Sequence, residues 1–253
     1  MDAWLPVVLS ALTFVSTLIG GFLAIRSKSR LRYFFAFSAG TLLAIAFADL
    51  LPEAINTSEG AEAVRQLVFY VIIASFVFFH VIERYVLVHP VHEHAAAEAP
   101  STHAHDEHHT TGGLGATGLV AHSFVDGVAI GAAFQASAAV GAVVAFAVLA
   151  HDFADGVNTV TLTFRVMREK KLAYAYLLAD AIAPVLGVLI TLLIAIPEAA
   201  LALILAFFVG HFLYIGASDL IPEMHRGERS FKALAIHLSG ILIIVGLTRL
   251  ITL

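Results

Sequence analysis

The chain has 253 residues, 60% of them hydrophobic and only 13% charged, with a net charge of -5. A soluble domain carries about 25% charged residues; this composition and a mean hydropathy of +0.91 exclude a water-soluble fold and indicate an integral membrane protein. Cysteine is absent, which removes disulfides, thiolate metal ligands and cysteine nucleophiles, whereas 13 histidines stand out.

A membrane helix needs roughly 20 mostly apolar residues. Eight stretches qualify: 4–25, 32–56, 64–88, 114–137, 139–165, 171–195, 198–222 and 230–252. The first has Asp2 and no Lys or Arg ahead of a long apolar run, so it reads as an uncleaved helix, not a signal peptide. Long runs without alternation favour helices over barrel strands. Short polar or turn-forming segments separate the spans, except that a histidine-rich stretch fills 89–113. With eight spans, Arg26, Lys28, Arg30, Arg32, Arg84, Arg165, Arg168, Lys170, Lys171, Arg226, Arg229 and Lys232 fall on one side, and only Arg65 and Arg249 on the other. The basic side is expected in the cytoplasm, with both termini outside and the histidine-rich loop inside. Removing one span would scatter that bias.

Spans two and seven carry the first internal repeat. Residues 40–53 read GTLLAIAFADLLPE and residues 210–223 read GHFLYIGASDLIPE, so Gly40, Asp49, Leu50, Pro52 and Glu53 recur 170 positions later. One span runs outward and the other inward, as expected of an inverted-topology repeat in a transporter. The expected fold is all-α, a 3+2+3 arrangement in which spans one to three mirror six to eight around the central spans four and five, the whole chain forming one transmembrane transporter domain. Asp49 and Glu53 would sit at the outer end of a transport pathway. Asp219 and Glu223, with His225, would sit at its inner end, although helix-end carboxylates read this way about as often as not. His211, eight residues before Asp219, lines the path or serves as a packing histidine with equal weight. His80 and Glu83, near an interface, and His237 read as structural.

The central spans carry the second repeat, AHSFVDGV at 121–128 and AHDFADGV at 150–157. His122 and Asp126, like His151 and Asp155, are four residues apart and share a helix face. Each ionisable group in a membrane helix costs roughly 2.5–3.5 kcal/mol on insertion scales, so two matched pairs on adjacent helices need a joint reason. A divalent cation supplies one: two carboxylates balance its charge and two imidazoles complete its shell. A sulfur-free set of this kind suits Zn(II), Fe(II), Mn(II), Co(II) or Ni(II). Ser123 and Asp152 follow each histidine and could hold a second ion bridged by Asp126 and Asp155. Asn158 extends the polar stripe of span five.

These residues resemble the ZIP (Zrt/Irt-like) family of divalent metal transporters. HSFVDGVAIGAAF (122–134) is similar to that family's fourth-helix signature, and HDFADG (151–156) to the fifth-helix form of its prokaryotic GufA-like branch. The resemblance implies a first transport site at His122, Asp126, His151 and Asp155, a second at Ser123, Asp126, Asp152 and Asp155, and metal moving into the cytoplasm, often zinc. The sequence departs from the family pattern at three places. Ser123 replaces the usual Asn, Val125 and Ala154 replace the Pro often found before the acidic residue, and Ala183 replaces the Glu common before the sixth-helix Pro, here Pro184. Asp180, one turn earlier than Ala183, is the candidate replacement.

The histidine-rich stretch reads as a disordered cytoplasmic loop that buffers metal loosely. The expected cargo is a divalent transition metal, zinc foremost, with iron, manganese or cadmium as further candidates. No cofactor and no nucleic-acid partner are expected, the lipid bilayer is the surrounding partner, and a homodimer is left open. A bacterial inner membrane is the expected location. The competing reading is an intramembrane metal-dependent hydrolase, which has no use for an inverted repeat; an exporter of the cation diffusion facilitator kind would generally have six spans and a soluble C-terminal domain.

Overall fold

A computed structural model describes residues 4–26, 31–83, 104–166, 170–225 and 230–251. Among the described residues the protein is all helical, and eight helices are long and apolar enough to cross a membrane. Helix α1 is Trp4–Arg26. Helix α2 runs Leu31–Ile45, passes through a π turn at Ala46–Leu50 and resumes over Leu51–Thr57. Helix α3 is Glu62–Val81, α4 Ala104–Ala136, α5 Ala138–Val166 and α6 Lys170–Leu192. Helix α7 runs Glu198–Tyr214, then a π turn at Ile215–Leu220, then Ile221–Met224, and α8 is Phe231–Ile251.

The expected spans and these helices agree closely except around α4. That helix starts at Ala104, not near 114, so the end of the histidine-rich stretch is helical in backbone. The earlier part, 89–103 with His89, His92, His94 and His103, lies outside the described residues, as do the side chains of His105, His108 and His109. Helix α6 stops at Leu192, short of 195. Its end is tied down by Gln135, whose amide donates to the Thr191 and Ile194 carbonyls and whose carbonyl accepts from the Ile196 N–H. Helix ends leave carbonyls that need such partners, so a side chain of the last turn of α4 finishes the neighbouring helix.

Apolar residues fill the core and also cover the outside. On α1, Trp4, Val8, Leu12, Val15, Ile19 and Phe22 form an exposed stripe at helical spacing, while Ser10, Thr13 and Thr17 are buried on another face. Tyr174, Leu178, Ile182, Leu186 and Leu189 make a similar outward stripe on α6. A stripe of this kind suits a lipid surrounding, where apolar surface costs nothing. Helices α2, α4, α5 and α7 are the more buried set; α1, α3, α6 and α8 lie outside them.

The packing has an internal exchange symmetry. Helix α1 packs on α5 as α6 packs on α4; α2 packs on α8 as α7 packs on α3; and α2 meets α5 as α7 meets α4. The two π turns fall within the repeated motif. In each, the helix N–H five residues on closes the wide ring, Leu51 to the Ala46 carbonyl and Ile221 to the Gly216 carbonyl. The cause is local: Pro52 and Pro222 have no N–H, and their rings crowd the carbonyl four residues back. The helix relieves that crowding by taking in one extra residue per turn. Asp49 and Asp219 lie inside these widened turns.

Candidate metal site

Small residues beside each acidic one let the central helices α4 and α5 sit tightly on their outer neighbours. A Cβ at Gly127 would collide with the Pro184 carbonyl of α6, and one at Gly156 with the Thr17 carbonyl of α1. Each central helix is therefore seated backbone-to-backbone on an outer helix, with Asp126 and Asp155 fixed one residue before the contact. His122, Asp126, His151 and Asp155 each present one ligand atom, and these four atoms lie within 4.8 Å of one another. Asp126 Oδ2 is 3.3 Å from His122 Nε2 and 3.2 Å from His151 Nε2. Asp155 Oδ2 is 3.6 Å from His151 Nε2 and 4.0 Å from His122 Nε2. Asp126 and His151 are fully buried, while the His122 side chain is 18% exposed.

The hydrogen bonding defines what the site lacks. His151 Nδ1 lies 3.0 Å from the Ala147 carbonyl. A carbonyl only accepts, so Nδ1 carries a proton and donates. The other ring nitrogen, Nε2, lies 3.2 Å from Asp126 Oδ2, so the ring is held between a backbone carbonyl on one side and the carboxylate on the other. Backbone anchoring of one ring nitrogen is the usual arrangement of a metal-binding histidine. Among the described residues, the buried side-chain polar atoms without a hydrogen-bond partner are Arg32 Nε and a cluster here: His122 Nε2, Asp126 Oδ1, both Asp152 oxygens, Asp155 Oδ2 and both His211 ring nitrogens. Buried polar groups are nearly always satisfied, so unpaired acceptors gathered at one point mark a place built for a cation.

The other sequence candidates fall in three groups. Asp152 is buried beside the site, with Oδ1 3.9 Å from His151 Nε2. Ser123 is turned to Asp180 instead: its hydroxyl donates to Oδ1 at 2.6 Å, and Thr159 donates to Oδ2 at 2.8 Å. Asp180 is thus a buried carboxylate held by two hydroxyls, with Thr159 a partner that sequence reasoning missed. Asn158 is half-buried one turn after Asp155. At the end of α2 where its π turn lies, Asp49 accepts from Thr248 at 2.7 Å beside an open pocket lined by Ala48, Val245, Thr248 and Arg249; Glu53 is half-buried one turn on. In α7, Asp219 hydrogen-bonds with Glu83, which also bonds Tyr214. Glu83 therefore belongs with Asp219 of α7, not with an isolated interface; Glu223 is half-buried one turn after Asp219. No spacing rule links α3 to α7, so the sequence held no signal for it.

His211 is the largest change from the sequence reading. It is fully buried, 3.4 Å from Asp126 Oδ1 through Nε2, with its ring centre 4.7 Å from that of His122. The expectation that packing and path were equally weighted gives way to a third imidazole beside the four-residue group.

Comparison with known proteins converges on one family. The model described as "ZIP Zinc transporter" matches residues 3–115 and 88–248. Zinc transporter ZIP4 of Mus musculus is 31% identical over 127 residues, 49% of this chain and 19% of that protein. Zinc transporter zipt-7.2 of Caenorhabditis elegans is 32% identical over 116 residues, 44% of this chain and 25% of that protein. Zinc transporter ZIP10 of Mus musculus is 32% identical over 108 residues, 42% of this chain and 13% of that protein. The aligned stretches thus cover a quarter or less of each of these relatives.

Proposed function

Since this chain belongs to the ZIP zinc transporter family, a family of transporters and not of enzymes, we propose that it carries divalent transition metal ions, Zn(II) foremost, across a prokaryotic plasma membrane into the cytoplasm. Fe(II), Mn(II) and Cd(II) are the further cargo to be tested. The observation that carries this reading is the buried group of His122, Asp126, His151 and Asp155, its ligand atoms within 4.8 Å of one another and several of them unpaired. Two carboxylates neutralise a divalent cation that would otherwise be prohibitively costly at this depth. Two imidazoles keep the set borderline in softness. Asp152 stands ready for a second ion, while Ser123 and Asp180 form the hydroxyl–carboxylate network behind it.

The path in this reading runs from Asp49 and Glu53 on the outer face, through the central site, to Glu83, Asp219 and Glu223 on the cytoplasmic face. The excess of basic residues on one side of the spans supports that orientation, with both termini outside. Alternating access would come from the two exchange-related halves rocking about α4 and α5. All four central ligands come from one chain, so the single chain is the transporting unit whether or not two copies pair as a homodimer.

Reconstitution into proteoliposomes tests this. Uptake of Zn(II), Fe(II), Mn(II) and Cd(II) is measured for the wild type, His122→Ala and Asp155→Ala. Both variants should lose most of the flux; flux equal to wild type in both would defeat the site assignment.

A further inference from the structure

The central group uses residues of α4 and α5 alone, yet α7 delivers a further imidazole to it. His211 is fully buried and neither ring nitrogen makes a hydrogen bond. An unpaired imidazole in a membrane interior wastes one donor and one acceptor. Its ring is positioned by aromatic contacts, centre to centre 3.9 Å from Phe79 of α3 and 5.7 Å from Phe212. That packing holds Nε2 3.4 Å from Asp126 Oδ1, and this oxygen is also unpaired. The separation is long for a hydrogen bond. It lies within the span expected of two ligands of one ion, since atoms each about 2.0–2.1 Å from the ion lie about 2.9–3.6 Å apart at ligand angles of about 90–120°.

The two halves of the inverted repeat differ here. The position related to His211 by the 170-residue offset is Thr41 on α2. Thr41 is buried as well, but its hydroxyl donates to the Ser38 carbonyl of its own helix. One half of the repeat therefore supplies a metal-binding group and the other does not.

We propose that His211 is a fifth ligand of the transported ion and the residue that biases the site toward nitrogen-preferring ions such as Zn(II) over Mn(II). The proposal rests on the central-site reading above. Two carboxylates and two imidazoles would accept Mn(II) and Zn(II) alike in charge. A third imidazole shifts the set toward nitrogen, and imidazole suits Zn(II) whereas oxygen ligands suit Mn(II). Because His211 stands on α7 and the other four stand on the central α4 and α5, this ligand arrives from one of the two repeat halves that flank the central pair.

The test uses full-length protein in detergent: wild type, His211→Leu, His211→Gln and Asp126→Asn. Zinc-edge X-ray absorption counts imidazoles around bound Zn(II), and competition titration compares Zn(II) with Mn(II). The proposal expects His211→Leu to lose one imidazole from the shell and roughly tenfold or more in Zn(II) affinity, with Mn(II) affinity unchanged. Retained Mn(II) binding also shows that the variant is folded, and His211→Gln gives the same reading with a polar side chain should the Leu variant not fold. An imidazole count and Zn(II)-to-Mn(II) ratio equal to wild type, or equal loss of both ions, overturns the role of His211. Failure of the underlying reading looks different: the wild type binds no ion, or Asp126→Asn binds ions as the wild type does.

Discussion

His151 owes its availability to a bond on the far side of its ring. With Nδ1 donating to the Ala147 carbonyl, Nε2 points at Asp126 and has nothing else to do. The neighbouring carboxylates are in the same condition, and Asp152 is the extreme case, buried with both oxygens unpaired. An unsatisfied buried polar group costs about 1–3 kcal/mol, more when charged. Asp152→Asn should therefore raise the unfolding temperature of chelator-treated protein while lowering metal occupancy, a trade of stability against function. Thermal unfolding with and without Zn(II) checks it, and equal stability without metal would mean Asp152 carries no penalty. Asp180→Ala should act in the opposite sense, because it strands the Ser123 and Thr159 hydroxyls that now donate to it; a loss of about 1–3 kcal/mol is expected. At this scale the four i, i+4 residues were legible, since one helix turn fixes both members of each pair. Glu83 and His211 were not, because their partners depend on how α3 and α7 pack.

The repeated motif becomes physical at the level of the helix. DLLPE and DLIPE, read from sequence as a repeat with helix ends as the plainer alternative, are π turns with proline just beyond, continuing into a further helical segment. Hydrophobic periodicity does not reveal a single extra residue in a turn, so the sequence showed the repeat but not its shape. Pro222→Ala would restore the missing N–H and remove the crowding at residue 218, allowing α7 to close as a regular helix. Loss of the extra residue rotates the rest of α7 by about 100°, which takes Asp219 away from Glu83. Uptake should fall several-fold while Zn(II) affinity at the central site stays at the wild-type value. Flux measured beside equilibrium binding separates the two, and parallel losses in both would show that the turn supports the site itself. The glycine seats make a contrasting prediction. Gly156→Val places two methyl groups against the Thr17 carbonyl, and overpacking of this kind costs about 1–3 kcal/mol or more. That variant should be destabilised with or without metal.

For the molecule as a whole, the exchange of contacts between α1–α3 and α6–α8 is what an alternating carrier requires, because two conformations of similar energy arise when the halves swap roles. The offset of 170 residues made the relation between spans two and seven visible; the pairing of α1 with α5 and of α6 with α4 was not, since those contacts are set by glycine seats that resemble ordinary small residues. The absence of cysteine gives a clean background for testing the motion. Ala48 and Ser218 occupy related positions in the two π turns and are both half-buried, so Ala48→Cys and Ser218→Cys report on opposite ends of the proposed path. A membrane-impermeant thiol reagent is applied to one face at a time, with and without Zn(II). A carrier that opens to one side at a time should show reciprocal changes, labelling at one position rising as the other falls. A continuous pore would label both positions together regardless of metal, and that outcome would remove alternating access while leaving the metal site in place.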